Sequence, residues 1–211
     1  MQKNVWGNQM ADLLEKLGFA KLQNVIIYGL IAALILALLA HGISLNDYGW
    51  WSFFVRWLHV LSGVMWIGLL WYFNFVQTPS MPKIPDDQKP AVTKVIAPTA
   101  LFWFRWGALS TVVWGLVLAY LNGYLVDALL LGVRTGGGKP TAIGIGMWLG
   151  LIMAYNVWMI IWPNQQKILG LVECTPEEKK AAAKPAGMAS RFNTFASIPM
   201  LYFMVSAQNI F

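Results

Sequence analysis

The sequence predicts an all-α integral membrane protein with about five transmembrane helices, an internal helix-hairpin repeat and an N-terminal amphipathic helix. Three features carry that prediction. Of 211 residues, 58% are hydrophobic and only 11% charged, whereas a soluble domain carries roughly a quarter charged residues. The apolar residues gather into stretches long enough to cross a hydrocarbon core of about 30 Å, which takes ~20 residues of helix. The chain also holds 12 Trp, a residue that collects where helices meet lipid headgroups.

Taken in order, residues 1–24 form a cytoplasmic N-terminal segment. Within it Asn8–Gln23 places Met10, Leu13, Leu14 and Leu17 on one helical face, the pattern of a helix lying on a membrane surface. A solvated terminus is the alternative. The segment is too polar for a secretory signal, so no cleaved peptide is expected. A single membrane domain then occupies 25–211, with spans near Val25–Leu45, Trp50–Val76, Pro98–Gly123, Thr141–Trp162 and Phe192–Phe211. Between the last two, Thr175-Pro176-Glu177-Glu178 reads as a helix start with a capping box. A short helix through Lys184, ended by Pro185, should follow. RTGGGKPT at Arg134–Thr141 lacks the spacing of a phosphate-binding loop and reads as a flexible connection.

Basic residues sort by side. Lys3, Lys16, Lys21, Lys83, Lys89, Lys94, Arg105, Lys167, Lys179, Lys180, Lys184 and Arg191 fall on one side, and only Arg56, Arg134 and Lys139 on the other. The positive-inside rule puts the N-terminus in the cytoplasm and the C-terminus in the periplasm of a bacterial inner membrane. The net charge of +6 therefore belongs to cytoplasmic loops, and no nucleic-acid partner is expected. One cysteine, Cys174, excludes an intramolecular disulfide, a multi-cysteine metal site and a CxxCH haem attachment.

Two stretches repeat: MWIGLLWYFNFV from Met65 and MWLGLIMAYNVW from Met147, each followed by a proline, Pro79 and Pro163. The next spans open alike with Arg105-Trp106 and Arg191-Phe192. The repeat halves cover about 50–123 and 141–211. Trp66/Trp148, Gly68/Gly150 and Asn74/Asn156 recur in both halves and are expected to serve helix packing. His59 has no twin, its equivalent being Thr141, so any role it has belongs to one half.

His59 lies about nine residues into the second span, roughly 13 Å deep at 1.5 Å per residue. An ionisable side chain at such depth suggests function. Its helical face carries Arg56, Gly63 and Trp66. That set suits haem b: His59 would ligate iron, Gly63 would let a flat macrocycle approach the backbone, and Arg56 would pair with a propionate. His41, the other histidine, lies near the outer end of the first span, about 7 Å shallower. It is a candidate second metal ligand, and Met153 or Met204 is another. In the competing reading His59 hydrogen-bonds a neighbouring helix and Arg56 snorkels to headgroups. Arg105 reads as a snorkelling or inter-helix residue. No paired carboxylates lie within the spans, which disfavours a proton relay.

The segments RWLHVLSGVMWIGLLWYFNFVQTPSMPKI, MWLGLIMAYNVWMIIWPNQQKIL and SRFNTFASIPMLYFMVSAQN resemble, in that order, the N-terminal membrane domain of bacterial membrane-bound urate oxidase. Leu58-His59 to Trp66 is also similar to helical membrane redox proteins that hold haem through a helix histidine. The family resemblance implies urate oxidation at the membrane, with electrons passed to a C-terminal cytochrome c module. This chain ends at Phe211 after its last span, so the resemblance is to the membrane domain without that module. The family tends to place a histidine after the final serine, where this chain reads Ser206-Ala207-Gln208-Asn209.

Three functions follow as expectations. The first is a haem b-binding redox component of the membrane, serving a periplasmic cytochrome. The second is a non-catalytic accessory subunit packed against other membrane protein subunits. The third, a small transporter, is suggested by the repeat alone.

Overall fold

A computed structural model describes residues 5–211, and the described residues are helical with no strand. The chain divides into two compact units, Met1–Trp50 and Trp51–Phe211. The first holds α1 (Val5–Lys16) and α2 (Leu22–Ala40). Gly18 turns the chain between them at φ +82°, and Asn24 Nδ2 donates to its carbonyl at 3.0 Å. The amphipathic helix expected over Asn8–Gln23 is found in part: α1 covers Val5–Lys16, with Met10 and Leu13 exposed, and Leu17 falls in the turn beyond it.

α3 (Tyr48–Trp71) runs into the second unit, which also contains α4 (Ala97–Leu121), a short α5 (Leu125–Leu129), α6 (Lys139–Tyr155), α7 (Trp162–Leu169) and α8 (Pro176–Asn209). Among the described residues, four helices are long and apolar enough to cross a membrane: Leu22–Ala40, Tyr48–Lys83, Lys89–Leu121 and Lys139–Leu169. These correspond to the first four expected spans. The fifth, expected at Phe192–Phe211, is the second part of α8, and α8 does not meet the same standard of apolarity. Its buried face explains why: Ala182, Ala186, Ala189, Asn193, Ala196 and Ser197 are small or polar. That face packs most extensively against α6 and α7, so its residues suit close helix contact rather than contact with lipid.

α8 also corrects the expectation at Pro185. The capping box is present: Thr175 Oγ1 accepts from Glu178 N at 3.2 Å, and Thr175 N donates to Glu178 Oε2 at 2.9 Å. The helix then runs 34 residues, with Pro185 and Pro199 inside it. A proline in a helix interior costs about 3 kcal/mol. The continuous small-residue face on α6 and α7 offsets that cost, which local propensity does not register.

Three π-helical turns interrupt the long helices, at Tyr72–Gln77, Val92–Ile96 and Asn156–Ile161. Each ends two residues before a proline: Pro79, Pro98 and Pro163. In each, the amide of the intervening residue reaches back five positions, Thr78 to Phe73, Ala97 to Val92 and Trp162 to Val157. The wider turn relieves the clash between the proline ring and the carbonyl four residues earlier. Two of these turns close the repeated stretches, so the duplication is also one of backbone geometry.

The core forms around Trp66, Leu70, Phe104, Met153, Val157 and Met200. A second cluster joins Ala128, Ala142, Met147 and Ala207. Glycine permits the closest approaches. A Cβ on Gly107 would stand 3.3 Å from the Trp66 backbone nitrogen, and one on Gly144 would collide with the Ala128 carbonyl. Asn156 and Asn193 bond across helices as expected of intramembrane amides, at 2.9 Å.

Candidate functional site

A cavity of about 640 Å³ lies in the second unit, between α3, α4, α6 and α8. This volume falls within the range of small-molecule and cofactor pockets. Arg56, His59 and Gly63, picked out from the sequence, all line it. They occupy successive turns of one face of α3, as helical spacing dictates.

His59 is half-buried and oriented by α4. Its Nδ1 lies 2.8 Å from the carbonyl oxygen of Thr111. A carbonyl only accepts, so Nδ1 carries the proton and donates, leaving Nε2 as a bare lone pair. Among the described residues no hydrogen bond to Nε2 is found. This is the arrangement of metal-binding imidazoles, in which a backbone carbonyl fixes the tautomer and ring orientation. Gly115, one turn beyond Thr111, provides the seat: a Cβ there would stand 2.9 Å from His59 Cε1 and 3.0 Å from Nδ1. The hydrogen bond to a neighbouring helix, offered as the competing role for His59, is therefore present, and it occupies only one of the two ring nitrogens.

Arg56 Nη1 donates to Gln208 Oε1 on α8. Among the described residues the one ion pair is Lys89–Asp86 at 2.6 Å, so Arg56 has a neutral partner and no carboxylate. Its cation is available to an anionic group in the cavity.

The glycines of the cavity leave space. A Cβ on Gly63 would meet only Thr111 Cγ2, at 3.8 Å, and one on Gly68 or Gly150 would meet nothing within 4 Å. Gly68 and Gly150 were expected at helix contacts; they line the cavity instead. Close helix contact falls to Gly107, Gly115, Gly144 and Gly146, which the repeat did not mark. Of the methionines weighed as ligands, Met204 lines the cavity, whereas Met153 is fully buried in the core. His41 belongs to the first unit, where its Nδ1 is 2.8 Å from the Gly42 carbonyl. Arg105 is an inter-helix residue, its guanidinium 3.6 Å above the Trp162 ring.

Thr111, Gly115 and Gln208 were missed by sequence reasoning. A backbone acceptor has no side-chain signature, and only the absence of a Cβ at 115 hinted at a close neighbour. Among the described residues no group of three or more His, Cys, Asp or Glu could hold a metal ion. The donor set fits a group that brings most of its own ligands: one imidazole nitrogen, one guanidinium whose side-chain partner is a neutral amide, and apolar walls. A haem b meets that description.

Fold and site together define an all-helical protein with helices suited to a bilayer and a cavity between them. Residues 122–210 match the family described as urate oxidase N-terminal, a stretch that holds the second and third of the resembling segments and not the first. No curated protein and no solved structure matches the chain. The matched region contributes Met147, Gly150, Met204 and Gln208 to the cavity; Arg56, His59 and Gly63 lie ahead of it.

Proposed function

We propose that this chain is an integral membrane subunit related to the urate oxidase membrane domain and that it holds haem b in the cavity beside His59. The observation that carries the reading is the bare Nε2 of an imidazole whose Nδ1 is committed to the Thr111 carbonyl. His59 would hold the iron through that nitrogen, and Arg56 would pair with a propionate. Gly63 leaves room for the macrocycle. Thr111 and Gly115 keep the imidazole from rotating, and the apolar walls exclude water. When bound, haem b supplies one-electron transfer.

The segregation of Lys and Arg supports an inner-membrane topology with a cytoplasmic N-terminus and a periplasmic C-terminus. A periplasmic cytochrome or a partner subunit in the same bilayer would be the electron acceptor in this reading. Urate oxidation is the activity the family description suggests, and in this reading it would be coupled to that electron path. The alternative is a non-catalytic accessory subunit. It is favoured by the exposed stripe Phe195, Ile198, Tyr202 and Val205 on α8, which suits a partner helix.

The test is the absorption spectrum of protein purified in mild detergent. A Soret band that is present in the wild type and lost in His59→Ala supports the haem reading. A band that survives His59→Ala unchanged contradicts it.

A further inference from the structure

The imidazole of His59 would supply one ligand to a haem, and α8 brings a second donor to the same cavity. Two side-chain bonds set the level of α3 and its continuation against α8. Arg56 Nη1 donates to Gln208 Oε1, and Asn74 Nδ2 donates to Ser190 Oγ at 2.8 Å. From 56 to 74 and from 208 to 190 are both 18 residues, so the helices run antiparallel and advance at one rate. Trp71, whose Nε1 donates to Ser197 Oγ at 3.0 Å, reaches along the same interface. His59 is three residues past Arg56, which puts it level with residue 205. Met204 is one residue further, a displacement of about 1.5 Å along the axis.

Met204 lines the same cavity as His59. Its side chain is held by α6: a Cβ on Gly146 would stand 3.3 Å from Met204 Cγ and 3.4 Å from Cε. α6 therefore approaches this methionine closely because position 146 has no side chain. Met204 packs against both core clusters but is only partly buried, and the other two cavity methionines lie deeper. Met200 is one turn deeper on α8 and only 6% exposed, and Met147 is 9% exposed within the second core cluster.

We propose, resting on the haem reading above, that the thioether of Met204 is the second axial ligand. His59 comes from the first repeat half and Met204 from the second, so the coordination joins the two hairpins. A thioether opposite an imidazole raises the reduction potential above that of a bis-imidazole haem. The chain is thereby suited to a high-potential electron acceptor.

The experiment compares wild type, Met204→Leu, Met204→His, Met200→Leu and His41→Ala, each purified in mild detergent. The readouts are haem content, the weak long-wavelength thioether-to-iron band of the ferric protein, carbon monoxide binding and midpoint potential. Met204→Leu is expected to keep haem, lose the thioether band, gain carbon monoxide binding and fall in potential. Met204→His should restore a six-coordinate spectrum of bis-imidazole type, which guards against a misfolded leucine variant. Met200→Leu and His41→Ala should behave as wild type. If Met204→Leu leaves band, ligand binding and potential unchanged, or if His41→Ala or Met200→Leu produces those changes, the Met204 assignment is overturned while the haem reading stands. A wild type that carries no haem and takes up none added removes both.

Discussion

At the scale of single residues, the site is an imidazole pinned between a carbonyl and a glycine. Gly115→Ala would place a carbon 2.9 Å from His59 Cε1, so the ring must shift or rotate. The expected outcome is partial loss of haem, with about 1–3 kcal/mol of destabilisation from overpacking; titration with haemin and thermal unfolding read the two effects separately. Asn193 makes a second prediction. It is fully buried, accepts from Asn156 Nδ2 at 2.9 Å and donates to the Met153 carbonyl at 2.9 Å. Asn193→Ala removes the acceptor of Asn156 Nδ2 and one of the two donors to the Met153 carbonyl, which keeps the Asn156 amide, and should cost about 1–2 kcal/mol, as measured for intramembrane hydrogen bonds. Unfolding in mixed micelles checks it. His59, Arg56 and Gly63 were legible because an ionisable residue on an apolar helix face stands out against its surroundings. Met204 was legible only as one of two candidate methionine ligands, beside Met153. What singles it out is a register set by bonds to another helix, and no local pattern encodes that.

At the scale of elements, the prolines decide where the helices widen. Asn156, Val157 and Ile161 are buried in the π turn ahead of Pro163. Pro163→Ala restores a donor and lets an α turn close, which rotates those side chains out of register. A loss within the usual 0.5–3 kcal/mol of a core mutation is expected, with faster amide exchange across residues 157–162. The start of α8 yields a pH prediction. The Thr175 amide holds the Glu178 carboxyl below the usual carboxylate range, and the charge of Lys167 adds to this. A depressed folded pKa means that the capping contribution is complete above the ordinary value, ~4.3, and is lost as pH falls through the lower folded one. Amide exchange in the first turn should therefore quicken on acidification, and Glu178→Gln should abolish that dependence. The span positions were legible from hydropathy, and the start of α8 from its capping box. The length of α8 was not legible: Pro185 is a helix breaker by local rules, and the face that overrides it is built from alanines and serines that carry no hydropathy signal.

At the scale of the whole molecule, two duplicated hairpins enclose one cavity, and only one half supplies a histidine to it. Two of the π turns and the pair Asn74/Asn156 recur in both halves, whereas the repeat equivalent of His59 is Thr141, so the imidazole belongs to one half alone. The topology argued from charge has its own test, because Cys174 is the sole cysteine and sits in the loop ahead of α8. A membrane-impermeant thiol reagent should label it in inside-out vesicles and leave it untouched in intact spheroplasts; labelling from the outside would reverse the orientation. The repeat was visible in the sequence, since paired motifs at constant spacing need no tertiary information. The cavity was not, because its open space at Gly68 and Gly150 depends on how four helices converge. A cofactor held by His59 is the central element of the proposed function. Its most direct test is a pyridine haemochrome assay on detergent-purified protein: the account predicts about one haem b per chain by simple single-site stoichiometry, and a protein that folds and purifies with none, even after haemin is supplied, contradicts it.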